Sequence, residues 1–143
     1  MRGLPEDTAE SADFRYELAH DWLDAAAVGE LLGSAGDAGR LAMSLRRSRH
    51  ILGVWLEQDG CFRFPPWQFC EVGVMPKFRE LLAVVREGVA RGSETSGWEE
   101  VDWFVAPHAR LYGRRPFEML TQAPDTVLEL ARLEFSEGAD ARW

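Results

Sequence analysis

The sequence predicts a mainly α chain carrying one β-hairpin, an α+β fold. Three observations predict it. Apolar residues recur with a helical period over most of the length. The period shortens to two in "HILGVWLEQDGCFRF", and prolines at 107, 116 and 124 punctuate the second half at helix-sized intervals. The expected organisation is an acidic, partly flexible arm at 1–20, a helix pair with a hairpin at 21–75, and a helical cluster at 76–143.

The arm is expected to be polar, with a mobile opening dozen residues and Phe14, Tyr16 and Leu18 tacking its second half to the body. "LDAAAVGELLG" is the first clear helix. Asp24 is its N-cap, Leu23 and Val28 form a hydrophobic staple, and Gly33 ends it in the left-handed conformation. After the loop "SAGDAG", a second helix, "RLAMSLRRS", spaces Leu41 and Leu45 by four. The hairpin turns at Asp59-Gly60, and Pro65 and Pro66 stop its second strand.

"WQF" beyond them is a short apolar anchor. In "MPKFRELLAVVREGVARG", Phe78, Leu81, Leu82, Val85 and Val89 fall on one stripe, with Pro76 in the first turn and Gly92 as stop. "SETSGWEEVDWFVAPH" offers a capping box of Ser96 and Glu99 and ends at Pro107. Pro116 and Pro124 start the last two helices.

Composition narrows the function. With 24 acidic and 16 basic residues the net charge is −8, which speaks against broad adhesion to nucleic acid but leaves room for a local basic face. No apolar run approaches the roughly 20 residues of a membrane span, and the acidic N-terminus is no signal peptide. A cytoplasmic protein with Cys61 and Cys70 reduced is expected. His20, His50 and His108 lie apart and at no metal-ligand spacing to a cysteine, so neither metal nor cofactor is expected. Glu99, Glu100 and Asp102 read as the negative first turn of a helix rather than a catalytic pair. "GSAGDAG" lacks the lysine and preceding strand of a phosphate loop. No nucleophile–base pattern stands out, and an enzyme has no positive support.

Two helices followed by a hairpin is the order of a small winged helix-turn-helix module, in which the second helix enters the major groove. Residues 40–50 hold Arg40, Arg46, Arg47 and Arg49 and no acid, and Arg63 extends the patch along the hairpin. These arginines either touch DNA or form a solvated face paired with the surplus acids.

The segment from Trp98 to Phe135 resembles the toxin-binding domain of the Xre/MbcA/ParS antitoxin family. Trp103, Pro107, Leu111, Gly113, Arg114, Pro116, Glu118, Leu120, Val127 and Ala131 follow its "W…P…L·GR·P·E·L…V…A" order. "ILGVWLEQDGCFRFPPWQF" and the "MPKFRELLAVV" helix are similar to the section that precedes this domain in such proteins. The chain lacks the five-helix repressor unit of a full Xre domain.

The resemblance implies an antitoxin of a type II module that neutralises a cognate toxin, often a RES-type NAD-consuming enzyme, through its C-terminal helices. It also implies a homodimer that autoregulates its promoter. The partner contacts it implies are Trp103, Arg114, Arg115, Phe117, Arg142 and Trp143. Gly113 is expected to supply a positive φ. Of Trp103 and Phe104, one should face the core; Arg114 either reaches back to the carbonyls of the preceding helix or meets the partner, and Arg115 is the better candidate for an exposed contact. The alternative is a winged-helix DNA-binding regulator whose C-terminal region only dimerises it.

Overall fold

The computed structural model describes residues 4–34, 36–90 and 95–140. It is mainly helical, with two small antiparallel hairpins. In chain order come α1 (Leu4–Ala19), α2 (Ala25–Leu31), α3 (Ala38–Arg47), β1 (Val54–Leu56) and β2 (Cys61–Arg63). A 3-10 turn at Pro66–Gln68 leads to β3 (Phe69–Cys70) and β4 (Gly73–Val74). Then follow α4 (Phe78–Ala90), α5 (Trp98–Val105), 3-10 turns at Ala109–Leu111 and Pro116–Met119, and α6 (Pro124–Asp140). No helix among the described residues is long and apolar enough to cross a membrane.

The described part of the arm, from Leu4, is a helix, an element the sequence reading did not assign. "LPED" suits a helix start, with proline and acids in the first turn. The C-terminal end of α1 docks: Ala19 is fully buried, Gln58 Nε2 donates to the Ala12 carbonyl (2.9 Å), and the Arg15 guanidinium stands 4.8 Å from the Trp98 ring.

In α2 the cap is as expected, the Asp24 carboxylate accepting the Ala27 N–H at 2.8 Å. Asp37 caps α3 in the same way through the Arg40 N–H (3.1 Å). Val28, Ala42, Ile51 and Phe64 form a small core in which Leu23, Leu32 and Leu45 are partly buried. Gly33 takes its left-handed conformation (φ 77°).

β1 and β2 pair in register Val54↔Arg63 and Leu56↔Cys61. The connection is therefore the four-residue loop 57–60, with Gly60 alone at positive φ (63°), rather than a two-residue Asp-Gly turn. The "WQF" segment anchors as expected, Trp67 on the larger core and Phe69 on the smaller, and a second hairpin, Phe69↔Val74 and Cys70↔Gly73, starts within it. Two-residue strands show too little alternation to be read from sequence.

Along the hairpin the chain serves two cores. Ile51 and Phe64 face the small one, while Leu52, Val54 and Leu56 join the larger core of α4, α5 and α6. In the larger core Trp67 lies 5.0 Å from Phe104, 5.5 Å from Phe117, 6.1 Å from Trp22 and 6.4 Å from Phe78, ring centre to ring centre. Offset and edge contacts at these distances add to burial itself.

Beside Trp67, Gln68 is wholly buried. Its amide oxygen accepts the Leu52 N–H (2.8 Å), and its amide nitrogen donates to the Leu52 carbonyl (2.8 Å) and the Pro65 carbonyl (3.1 Å). Its backbone carbonyl accepts the Met75 N–H at 2.8 Å. The side chain does for Leu52 what a neighbouring strand would do.

α4 buries Phe78, Leu81, Leu82 and Val85, as its periodicity predicts. Pro76 lies before the helix rather than in its first turn, because Lys77 turns left-handed (φ 67°) between them. Gly92 lies outside the described residues. At α5 the cap moves by one residue: Gly97 (φ 98°) occupies the N-cap, and a Cβ there would stand 2.7 Å from the Gly53 carbonyl oxygen. Ser96 instead donates both its N–H (3.0 Å) and its hydroxyl (2.9 Å) to Glu99. Burial pushes the Glu99 carboxyl up, but hydrogen bonds from its own N–H and from Ser96 outweigh it and hold the group below its usual range.

Gln68→Leu keeps the volume and removes the polar end. It strands the N–H and carbonyl of Leu52, so urea unfolding is expected to show a loss of about 2–4 kcal/mol with little change in slope.

Candidate functional site

The corner between α5 and α6 is built from the inside outward. Ala106 is extended, as a residue before proline must be, and α5 stops there. The segment 108–114 then closes on itself. The His108 N–H donates to the Arg114 carbonyl (3.0 Å), and the His108 carbonyl accepts from Leu111 (3.0 Å) and Gly113 (2.9 Å). Leu111 is buried beneath this loop. Gly113 has the predicted positive φ (85°). On the far side the Arg115 N–H donates to Glu118 Oε1 (2.7 Å), and buried Pro116 opens a 3-10 turn in place of the α-helix expected there.

Tyr112, at the tip, is the residue that sequence reasoning missed. It is left-handed (φ 59°, ψ 38°) and 97% exposed. A non-glycine residue in this region is disfavoured by about 1–3 kcal/mol, and its ring recovers nothing by packing. The available signal was an aromatic directly before a turn glycine.

Of the partner contacts implied by resemblance, Trp103 and Phe117 are taken up largely by the fold itself. Phe104 is the fully buried neighbour. Trp103 is partly buried, edge-on to Phe104, and its Nε1–H donates to Glu134 Oε1 (3.2 Å) on α6. His108 Nε2 reaches the same oxygen at 2.8 Å. The Arg110 N–H donates to His108 Nδ1 (3.2 Å), which requires the ring proton on Nε2, facing Glu134. Phe117 is partly buried against Trp67.

Arg114 and Arg115 are exposed. The Arg114 guanidinium lies 3.8 Å from Met119 Sδ instead of at the α5 carbonyls, since the left-handed turn at Tyr112 and Gly113 carries it past that helix end. Arg142 and Trp143 lie outside the described residues.

The structure divides the arginines proposed for DNA. Arg63 is turned along the hairpin, with Nη2 on Asp59 (2.8 Å) and Nη1 donating to the Trp22 carbonyl (3.2 Å). The hydrogen bond to Asp59 holds its pKa above the ordinary value. The Arg46 guanidinium stacks 4.2 Å from the Phe62 ring centre, partly buried. Arg40, Arg47 and Arg49 are exposed, and Arg40, Ser44 and Arg47 share one solvent face of α3. Arg46, Arg47 and Arg49 also border a cleft of about 690 Å³ that reaches Arg86, Thr95 and Ser96. No family model, curated protein or solved structure matches the chain.

Glu134 fastens the corner to α6 through Trp103 and His108. Glu134→Ala is expected to lower stability by about 1–2 kcal/mol and to change Trp103 emission, both read in one fluorescence-monitored urea titration.

Proposed function

We propose that this chain is a binding protein, an antitoxin-like member of a type II toxin–antitoxin module, whose α5–α6 corner engages a partner toxin in the cytoplasm. The resemblance of "WFVAPHARLYGRRPFEML" to the toxin-binding pattern suggests the class of partner, a RES-type NAD-consuming enzyme among them.

The observation that carries the reading is Tyr112. A wholly exposed aromatic is held in a disfavoured backbone conformation on a hydrogen-bonded loop, with exposed Arg114 and Arg115 beside it. Fold stability gives no reason to keep a tyrosine there, and asparagine would suit the backbone better. Tyrosine and arginine are the residue types that dominate binding energy at protein interfaces, and a rigid loop gives up little entropy when it docks. The buried members of the pattern, Leu111, Pro116, Leu120, Val127 and Ala131, serve to shape this corner.

Co-expression with the product of the adjoining reading frame tests it. Tyr112→Asn and Arg115→Ala are expected to weaken capture of the toxin at least tenfold and to abolish growth rescue, with thermal stability unchanged or raised. Full rescue by the double variant, or an adjoining product without toxicity, contradicts the proposal.

A second reading, promoter binding, is favoured by the shared solvent face of Arg40, Ser44 and Arg47 on α3. It requires that Arg40→Ala together with Arg47→Ala abolish retention of the chain's own promoter, and that wild-type affinity fall steeply with salt. Unchanged retention removes it.

A further inference from the structure

The α3–α4 side of the molecule holds a cleft that neither reading uses, apart from Arg47 at its edge. We infer that the cleft between the end of α3, the exposed side of α4 and the approach to α5 is a binding site for a phosphate-bearing small molecule of nucleotide size. The cleft measures about 690 Å³, within the ordinary range for a small-ligand site. Arg46, Arg47, Arg49 and Arg86 line it, and Glu87 is the one acidic residue among its described walls.

Two acids of the neighbouring α5 are engaged by hydrogen bonds within the fold. Glu99 is held by Ser96. Glu100 is wholly buried and receives Arg86 Nε (2.6 Å) and the Thr95 hydroxyl (2.8 Å). Among the described residues, four guanidiniums therefore stand with two carboxylates, Glu87 and Glu100, in a protein whose overall charge is −8.

Arg46 shows the imbalance most directly. Its Nε is buried and has no hydrogen-bond partner among the described residues. Burial, and then the neighbouring charges of Arg47 and Arg86, push its pKa below the ordinary arginine value. Cations crowded in this way are relieved by an anion such as a phosphomonoester, which carries about −1.5 to −2 at neutral pH. Guanidinium groups suit phosphate oxygens because each presents paired N–H donors in one plane. A walled cleft selects a small ligand over a duplex, which would instead meet the exposed face of α3 around Arg40 and Ser44.

This inference rests on the cleft alone and is independent of the toxin reading. The test is calorimetric titration and thermal melting of the full chain with inorganic pyrophosphate and with ADP, against chloride at matched ionic strength. Binding and a raised Tm are expected with both probes. Arg47→Gln and Arg49→Gln, which alter exposed side chains, are each expected to weaken binding about tenfold without lowering the unliganded Tm.

Four results overturn the proposal. One is the absence of heat and Tm shift with both probes. The second is an equal shift with chloride, and the third is unchanged affinity in the Arg47→Gln/Arg49→Gln double variant. The fourth is Arg47- and Arg49-dependent binding of a short random duplex when neither probe binds, which reassigns these arginines to nucleic acid.

Discussion

The amide of Gln68 is the interaction around which the other elements are arranged. The chain between α3 and β1 must pass from the small core to the large one, and at Leu52 it does so without a strand partner. Gln68 supplies both hydrogen bonds, at 2.8 Å each, and its own backbone carbonyl holds Met75 where the chain turns toward α4. A buried amide satisfied on both its oxygen and its nitrogen rigidifies what it touches, because any shift strands groups that water cannot reach. Next to it, Trp67 fixes the aromatic cluster on which α4, α5 and the Phe117 turn pack. The "PPWQ" segment thus sets one polar and one apolar anchor side by side.

That anchoring explains why the corner can present a strained tip. Trp103, His108 and Glu134 fasten its base to α6, while Leu111, Pro116 and Leu120 fill the space beneath. The backbone of 108–114 is then fixed by its own hydrogen bonds, and Tyr112 follows from that geometry rather than from any contact of its ring. Stability and presentation are divided between inner and outer faces of the same eighteen residues.

What was legible in the sequence had a local cause. Asp24, Gly33, Pro107 and Gly113 act through a single cap or dihedral, and the α4 stripe acts through a period, so each was readable directly. What was not legible depended on tertiary partners. The α1 helix has too weak an apolar face to be separated from a polar arm until Ala19 and Arg15 are seen to dock. The cap of α5 passed from Ser96 to Gly97 because the chain must approach the Gly53 carbonyl closely. Among the candidate site residues, Arg46 and Arg63 read as solvent cations, yet Phe62 and Asp59 draw them onto the fold. Tyr112 was hidden by the opposite effect, since exposure leaves no pattern in a sequence.

The central claim is that the outer face of the 108–118 corner meets a protein partner while its inner face belongs to the fold. Amide hydrogen exchange of the chain, alone and in complex with the product of the adjoining reading frame, tests it most directly. Slowed exchange concentrated at residues 108–118 on complex formation is the expected result. A complex that leaves those amides unchanged and protects residues 38–50 instead would contradict it.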